Sequence, residues 1–306
     1  MKIAVIGTGT IGTSWAAYFL ARGHDVMASD PGPDAEHLLH AFVENAWPTL
    51  TRLGLAPRAD PARLGFMANS VQAVEGAEWV QESGPERIEL KVELFAQISA
   101  ALPPSTIIAS SSSNLTPSAM QVRTVHPERL VLGHPFNPPH LIPLVEVAGG
   151  AQTSSEALDR AMQFYQEIGK FPIRLNKEIP GHVANRLQSA LWREATYLVE
   201  QGVVSVEDVD AAISQGPGLR WALMGPIMTF HLAGGVGGLK YLMDHIGPDT
   251  LWPVLGQPAM TPSFQTALVD GVVAEAGGLT VSALAARRDD KLVALLKALS
   301  QFRTEV

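Results

Sequence analysis

His134 and Glu146 stand near the two ends of a proline-studded segment, GHPFNPPHLIPLVE, and together they could remove a proton from an alcohol. Glu146 lies in the apolar run LVEVA, where an unpaired carboxylate would be costly. A carboxylate bonded to one imidazole nitrogen fixes the tautomer and stabilises the imidazolium, which leaves the other nitrogen to act as a general base. A histidine among prolines is more often structural, so this interpretation depends on what else the sequence places nearby.

A glycine-rich turn, IGTGTIG, follows the first apolar run of the chain. Gly7 permits a tight turn, Gly9 lets the backbone approach a pyrophosphate, and Gly12 allows a helix to pack closely on a strand. The anion would lie on N–H groups at the positive end of the helix dipole. The alternative is a turn whose glycines serve packing only. The predicted cofactor-binding residues of this turn are Gly7, Gly9, Thr10, Ile11 and Gly12.

An acidic residue, Asp30, ends the second apolar run, in VMASDPG. A carboxylate at this position accepts hydrogen bonds from an adenosine ribose and repels a 2′-phosphate. No arginine follows to neutralise that phosphate, so the sequence predicts NAD rather than NADP as the cofactor.

The candidate base falls where a nicotinamide would lie. A run of four serines follows TIIA, and His134 follows LVLG, so both come at the ends of predicted strands. Ligands of open parallel sheets bind at the carboxyl ends of the strands. The predicted chemistry is oxidation of a secondary alcohol, in which the base takes the hydroxyl proton while the carbon gives hydride to NAD.

The elements that must position these residues change in type near the middle of the chain. Apolar and β-branched runs alternate with amphipathic segments up to residue 179, which is typical of a mostly parallel sheet covered on both faces. After Pro180 only helical patterns remain. We therefore expect an α/β protein with a Rossmann-type NAD-binding domain at 1–179 and an all-α substrate and dimerisation domain at 180–306. The predicted strands are KIAVIG, DVMAS, WVQES, TIIAS, LVLGH, LVEVA and FPIRL.

Composition excludes several classes of function. The 306 residues carry a net charge of −8, which disfavours nucleic acid and anionic lipid as partners. No apolar run approaches the length of a membrane span, and no signal peptide is evident. The absence of cysteine removes thiolate chemistry and sulfur-ligated metals, and we expect no metal site and a cytoplasmic location. The apolar C-terminal helices predict a homodimer.

The motifs IGTGTIG, ESGPE, ASSSSNL, GHPFNPP, LVEV and PGHVANR, in this order, resemble the 3-hydroxyacyl-CoA dehydrogenase family over nearly the whole chain. The resemblance implies that His134 is the catalytic histidine and Glu146 its partner. It also implies that Ser113 binds the substrate hydroxyl and that Asn185 lies in the active site. Glu86 and Lys91 match positions that line the cofactor in the family.

The substrate is less constrained than the reaction. Acyl-CoA enzymes of the family carry a lysine-rich segment after the position of Asp30, whereas this chain has no lysine there and only three arginines. The segments AWPTLTRLGL, GPGLRWALMGP and TFHLAGG resemble the L-carnitine dehydrogenase branch of the family, which neighbours gulonate 3-dehydrogenase and lambda-crystallin. Carnitine is therefore the expected substrate. The alternatives are 3-hydroxybutyryl-CoA, L-gulonate, or a crystallin-like NAD-binding protein with little turnover.

A quaternary ammonium is best held by aromatic faces, and a carboxylate by arginine. The helix that starts near residue 182 places Asn185 and Trp192 on one stripe. Each aromatic taken singly is more often a core residue than a ligand contact. The candidate substrate contacts are Trp192, Arg220, Trp221 and Phe230.

Overall fold

The computed structural model describes residues 1–246 and 255–301. The chain divides into two compact units. A sheet unit comprises Met1–Asn185 together with Asp289–Lys297, and a helical unit consists mainly of Arg186–Arg288. The predicted domain boundary at Pro180 lies a few residues before this division.

Eight strands form one sheet in the first unit. They are β1 (Lys2–Ile6), β2 (Asp25–Ser29), β3 (Leu64–Phe66), β4 (Trp79–Glu82), β5 (Ile107–Ser110), β6 (Leu130–Pro135), β7 (Leu144–Gly149) and β8 (Phe171–Arg174). Their order across the sheet is β3-β2-β1-β4-β5-β6-β7-β8. Only the β6–β7 pair is antiparallel, so the predicted mostly parallel sheet is confirmed. The sequence missed β3 because three residues are too few to show an alternation.

Helices cover both faces of the sheet, and β1 shows how the alternation of a strand produces this arrangement. Ile3 and Val5 pack into one buried cluster, while Ala4 and Ile6 pack into another on the opposite face. The first cluster contains residues of α1 (Thr10–Ala21), α2 (Ala35–Leu53) and α6 (Ser155–Glu167). The second contains residues of α3 (Ser70–Ala73), α4 (Ile88–Ala100) and α5 (Pro117–Met120).

Local signals set the ends of these helices. The Ser154 hydroxyl accepts a hydrogen bond from the Ala157 amide at 3.0 Å and so caps α6. Gly169, with a φ of +83°, follows the last turn of the same helix. Thr116 is the N-cap residue of α5 and Pro117 its first residue, although the Thr116 side chain makes no capping bond.

Beyond β8 the described chain is helical, as the sequence predicts. The helices are α7 (Ala184–Glu200), α8 (Val206–Ser214), α9 (Pro217–Trp221), α10 (Pro226–Ala233), α11 (Gly238–Ile246), α12 (Pro262–Ala276) and α13 (Val281–Ser300). Of the described residues from Arg186 to Arg288, only Thr196 and Leu242 have buried side chains. These helices therefore form almost no core within one copy of the chain.

The described helices and side chains give little sign of a membrane span or a metal site. No single described helix has both the length and the hydropathy of a membrane span, and one bent pair, Pro262–Ala276 with Val281–Ser300, passes only when taken together. No group of three or more His, Asp or Glu side chains in the described part of the chain is placed to hold a metal ion.

Candidate active site

The glycine-rich turn between β1 and α1 has the close approaches that require glycine. Gly7 has a φ of +93°, and its N–H donates to the Ser29 carbonyl at 2.7 Å. A Cβ on Gly12 would lie 1.8 Å from the Gly7 carbonyl oxygen. A Cβ on Gly9 would meet nothing within 4 Å, and Gly9 provides no side-chain cap for α1. The first turn of α1 therefore faces open space without a side-chain acceptor, as an anion site requires.

The Asp30 carboxylate is hydrogen-bonded to the glycine-rich turn. Its Oδ2 accepts a hydrogen bond from the Thr8 amide at 2.8 Å, and its Oδ1 accepts one from the Gly32 amide at 2.9 Å. Each carboxylate oxygen has a second lone pair, which a ribose hydroxyl could use. The Thr8 hydroxyl is buried and has no hydrogen-bond partner among the described residues. The open side of Gly9, the placement of Asp30 and this unpartnered hydroxyl fit a bound dinucleotide.

The predicted pairing of His134 with Glu146 is present. The two residues lie directly opposite each other on the antiparallel strands β6 and β7. His134 Nδ1 is 2.9 Å from Glu146 Oε2, and the two residues are 5% and 0% exposed. Since a carboxylate only accepts hydrogen bonds, Nδ1 carries the proton and Nε2 is left with a lone pair.

The other oxygen of Glu146 is held by a turn that precedes α7. The amides of Val183 and Ala184 donate to Glu146 Oε1 at 2.9 Å and 3.0 Å. Burial by itself raises the pKa of Glu146, but the hydrogen bonds from His134 and from these two amides outweigh it and leave the pKa below its usual value. The carboxylate therefore stays charged and can stabilise a protonated His134.

Residues 111–114, which follow β5 and are called the serine loop, are held in place by hydrogen bonds to Glu86. Its Oε1 accepts hydrogen bonds from the Ser112 hydroxyl at 2.6 Å and from the amides of Ser113 at 3.1 Å and Asn114 at 2.9 Å. Burial raises the pKa of Glu86, but the hydrogen bonds from the Ser112 hydroxyl and the Asn114 amide, together with the nearby Lys91 ammonium, lower it below the usual value. Glu86 thus fixes the backbone that carries Ser113, whose side chain is exposed at the end of β5.

Lys91 is buried, and the bonds that the structure shows for it are internal. Its Nζ donates to Glu82 Oε1 at 2.6 Å and to the Gly84 carbonyl at 3.2 Å, and it lies 3.8 Å from Glu86 Oε2. The buried Lys91 ammonium thereby stabilises the negative charge of the Glu86 carboxylate. A direct contact of Lys91 with the cofactor stays a prediction.

Asn185 joins the same cluster. Its Nδ2 donates to the Ser113 carbonyl oxygen at 3.1 Å. The loop after β5, the strands β6 and β7 and the first turn of α7 therefore bring together four of the residues that the sequence singles out. These are Ser113, His134, Glu146 and Asn185.

The four candidate substrate contacts belong to the helical unit. Trp192, Trp221 and Phe230 are 63%, 41% and 41% exposed, and Arg220 is also exposed. Trp192 borders an apolar groove of about 500 Å³ whose walls come from α7, α8 and α12. The side chains are accessible, and their contact with a substrate stays a prediction.

The sequence does not single out His182, although this residue lies in the PGHVANR motif. Its ring is fully buried, and its centroid lies 5.1 Å from that of His134. Nor does the sequence single out Gln81, which donates to the Ser111 hydroxyl at 2.8 Å and to the Gly133 carbonyl at 3.2 Å. The position of His182 directly after Pro-Gly was a signal of a tight turn at the domain boundary.

Models of two protein-family domains match the chain. One, described as 3-hydroxyacyl-CoA dehydrogenase, NAD binding domain, covers residues 2–179. The other, described as 3-hydroxyacyl-CoA dehydrogenase, C-terminal domain, covers residues 181–275. The two matches together span most of both units.

Curated relatives and solved structures are similar to the chain over nearly its full length. L-Carnitine dehydrogenase of Streptomyces coelicolor is 49% identical over 99% of this chain and 96% of its own length. The enzyme of the same name from Pseudomonas putida is 46% identical over 96% and 92%. A crystal structure of 5-formyl-3-hydroxy-2-methylpyridine 4-carboxylic acid 5-dehydrogenase superposes with a TM-score of 0.82 at 30% identity, covering 98% of each chain.

Proposed function

This chain belongs to the 3-hydroxyacyl-CoA dehydrogenase family, and from that premise we propose that it oxidises L-carnitine to 3-dehydrocarnitine with reduction of NAD. Its relatives named L-carnitine dehydrogenase are 45–49% identical over nearly the whole chain. The observation that carries the reaction class is the 2.9 Å contact between His134 Nδ1 and Glu146 Oε2. It leaves one imidazole nitrogen available at the carboxyl end of β6.

The side chains of the site divide the proton chemistry between them. NAD, when bound, supplies the carbon that accepts hydride. His134 Nε2 takes the proton of the substrate hydroxyl, and Glu146 stabilises the imidazolium that forms. The Ser113 hydroxyl bonds the substrate oxygen in both its alcohol and ketone forms, and Asn185 donates to that oxygen as it becomes a carbonyl. Glu86 keeps the Ser113 loop in place.

Carnitine requires a site for a quaternary ammonium and a site for a carboxylate. We propose the exposed rings of Trp192, Trp221 and Phe230 for the ammonium and Arg220 for the carboxylate. Alanine in place of Trp192 or Trp221 should raise the KM for carnitine and leave NAD binding unaltered. Unchanged kinetics in both variants would remove these aromatics from the proposal.

Acyl-CoA is a poorer candidate for the substrate, because few arginine side chains in the segment after Asp30 are available to bind the phosphates of CoA. Two of the three arginines between Asp30 and Val71 already pair with carboxylates. Arg52 Nη2 lies 2.7 Å from Asp290 Oδ1, and Arg63 Nη2 lies 2.5 Å from Asp25 Oδ1. Neither guanidinium is free to take a CoA phosphate without giving up its partner.

A homodimer through the helical unit is part of the proposal. The described helices from Arg186 to Arg288 bury only two side chains in one copy, Thr196 and Leu242, yet they expose many large apolar ones. A unit with so little core needs a second surface to cover it, and a second copy of the same chain is the usual one. We also propose a cytoplasmic location, because the reaction draws on an intracellular NAD pool.

The decisive experiment is NADH formation by the purified protein with L-carnitine, L-gulonate and 3-hydroxybutyryl-CoA in parallel. We expect the highest kcat/KM with L-carnitine. A higher kcat/KM with L-gulonate or 3-hydroxybutyryl-CoA would change the proposed substrate and leave the proposed mechanism unaltered. An absence of NADH with all three would favour an NAD-binding structural protein or a substrate outside this panel.

A further inference from the structure

His182 is a second imidazole beside the candidate base, and its backbone is unusual. It has a φ of +50°, and His126 is the only other non-glycine residue with a positive φ in the described part of the chain. Gly181 before it has a φ of +74°. Two consecutive residues in the left-handed region turn the chain sharply, so that the next two amides, of Val183 and Ala184, both point at Glu146.

The His182 ring fastens this turn to the serine loop. Its Nε2 lies 3.0 Å from the Ser112 carbonyl oxygen, and both groups are buried. A carbonyl only accepts hydrogen bonds, so Nε2 carries the proton and Nδ1 does not. Burial is the main cause that lowers the pKa of His182, which keeps the ring neutral and this tautomer in place. Nδ1 is buried without a partner among the described residues.

We infer that His182 is a positioning residue that ties the turn holding Glu146 to the loop holding Ser113. The inference rests on the proposed function of Glu146 and Ser113. One side of the link fixes the carboxylate that orients His134, and the other fixes the Ser112 carbonyl in the loop that leads to Ser113. A single ring therefore sets the distance between the base and the residue that binds the substrate oxygen. A plain core residue would need only the shape of the ring.

Two substitutions distinguish a positioning role of His182 from a purely structural one. Glutamine can place an amide nitrogen where the Nε2 atom of histidine lies, and asparagine can place one where Nδ1 lies. The amide nitrogen of Gln in His182→Gln can reach the position of Nε2 and donate to the Ser112 carbonyl. The shorter side chain in His182→Asn reaches only the position of Nδ1. We expect His182→Gln to keep kcat within a fewfold of the parent and His182→Asn to lose about 10²-fold, as misplaced catalytic groups do. The KM for NAD should change little in either variant, whereas the melting temperature should fall more in His182→Asn, because the buried Ser112 carbonyl loses its donor.

The matched control is the other left-handed histidine. His126 is exposed and has a φ of +56°, so His126→Gln and His126→Asn make the same exchanges without the bond to Ser112. Both should leave kcat unaltered. Equal losses in His182→Gln and His182→Asn, with folding intact, would overturn the inference. So would parental activity in both variants.

A measurement on the parent protein tests the same link without any substrate or substitution. Nitrogen NMR of the histidine rings should show His182 neutral, protonated at Nε2, with that proton exchanging slowly with water. Protonation at Nδ1, or a charged ring at neutral pH, would overturn the inference even if the enzyme turns over carnitine. Failure of the substrate panel would instead leave this result standing and reject only the proposed reaction.

Discussion

At the scale of single residues, the site depends on keeping a buried carboxylate charged. Glu146 is fully buried, and its two oxygens receive one hydrogen bond from His134 and two from backbone amides. These bonds replace the solvation that burial removes. The carboxylate can then hold His134 in one tautomer and stabilise the charge that develops when the base takes a proton.

Removing either member of this pair should reduce turnover far more than cofactor binding. His134→Ala or Glu146→Gln should lower kcat by about 10²–10⁴-fold, the usual contribution of a general base. The dissociation constant for NAD should be retained, because neither residue belongs to the glycine-rich turn. Steady-state kinetics and NAD titration measure the two effects. A loss of kcat of less than about tenfold in both variants would contradict the assignment of His134 and Glu146 as the catalytic pair.

The lowered pKa of Glu146 also predicts how stability responds to acid. Its pKa in the folded protein is below the usual value of a glutamate in an unfolded chain. The ionised carboxylate therefore contributes to the free energy of unfolding at pH values above that usual pKa, and the contribution is lost as the pH falls through the folded-state value. Urea unfolding between neutral and acidic pH should show a weaker loss for Glu146→Gln than for the parent. Parallel curves would contradict this assignment.

Asp30 should govern the choice of cofactor. Asp30→Gly removes the carboxylate that we propose to meet the ribose and that accepts a hydrogen bond from the Thr8 amide at 2.8 Å, so NAD should bind less tightly and the preference over NADP should narrow. Asp34→Gly is the control, because Asp34 is exposed nearby and makes no capping bond to α2. An unaltered ratio of NAD to NADP activity in Asp30→Gly would mean that the ribose contact is misplaced.

At the scale of elements, the antiparallel pair β6–β7 creates the site. Its register places His134 directly opposite Glu146, so the backbone of the sheet aligns the two side chains. The buried Gln81 of β4 reaches past β5, and its amide donates to the carbonyl of Gly133 in β6 at 3.2 Å. The candidate base His134 therefore lies in the buried core of the sheet unit.

Gly133 is packed so closely against Tyr165 that a side chain cannot be added there without a shift. A Cβ there would lie 1.9 Å from the Tyr165 hydroxyl oxygen, which is itself held by Gln81 Oε1 at 2.7 Å. Gly133→Ala should lower the free energy of unfolding by about 1–3 kcal/mol, the usual cost of overpacking. In a Tyr165→Phe background the same change should cost less, because the hydroxyl is gone. Strictly additive costs in denaturant unfolding would show that the clash is relieved elsewhere.

At the scale of the whole molecule, the apolar surface of the helical unit predicts self-association. Ile227 and Leu223 are 70% and 65% exposed on or beside α10. Ile227→Glu or Leu223→Glu should shift the mass measured by analytical ultracentrifugation from dimer towards monomer, because a charge would be buried at the interface. Val122→Glu, at a position 63% exposed in the sheet unit, should remain dimeric. A monomeric parent, or a dimer indifferent to both substitutions, would reject this interface.

The sequence by itself determined those features that short segments encode. The alternation in KIAVIG, the spacing of Gly7, Gly9 and Gly12, and the acidic end of DVMAS predict a nucleotide-binding sheet, because strand period and turn geometry are local properties. The cost of burying Glu146 alone also predicted that it must have a partner, and the structure confirms His134 in that place.

Only the tertiary structure decided how distant segments meet. The antiparallel register of β6 and β7 and the turn that carries His182 to Ser112 depend on residues 12 and 70 positions apart in the chain. No local pattern encodes such contacts, because they are selected by the packing of whole elements against one another. The strand β3 has too few residues to show an alternation, and its pairing with β2 is seen only in the folded chain.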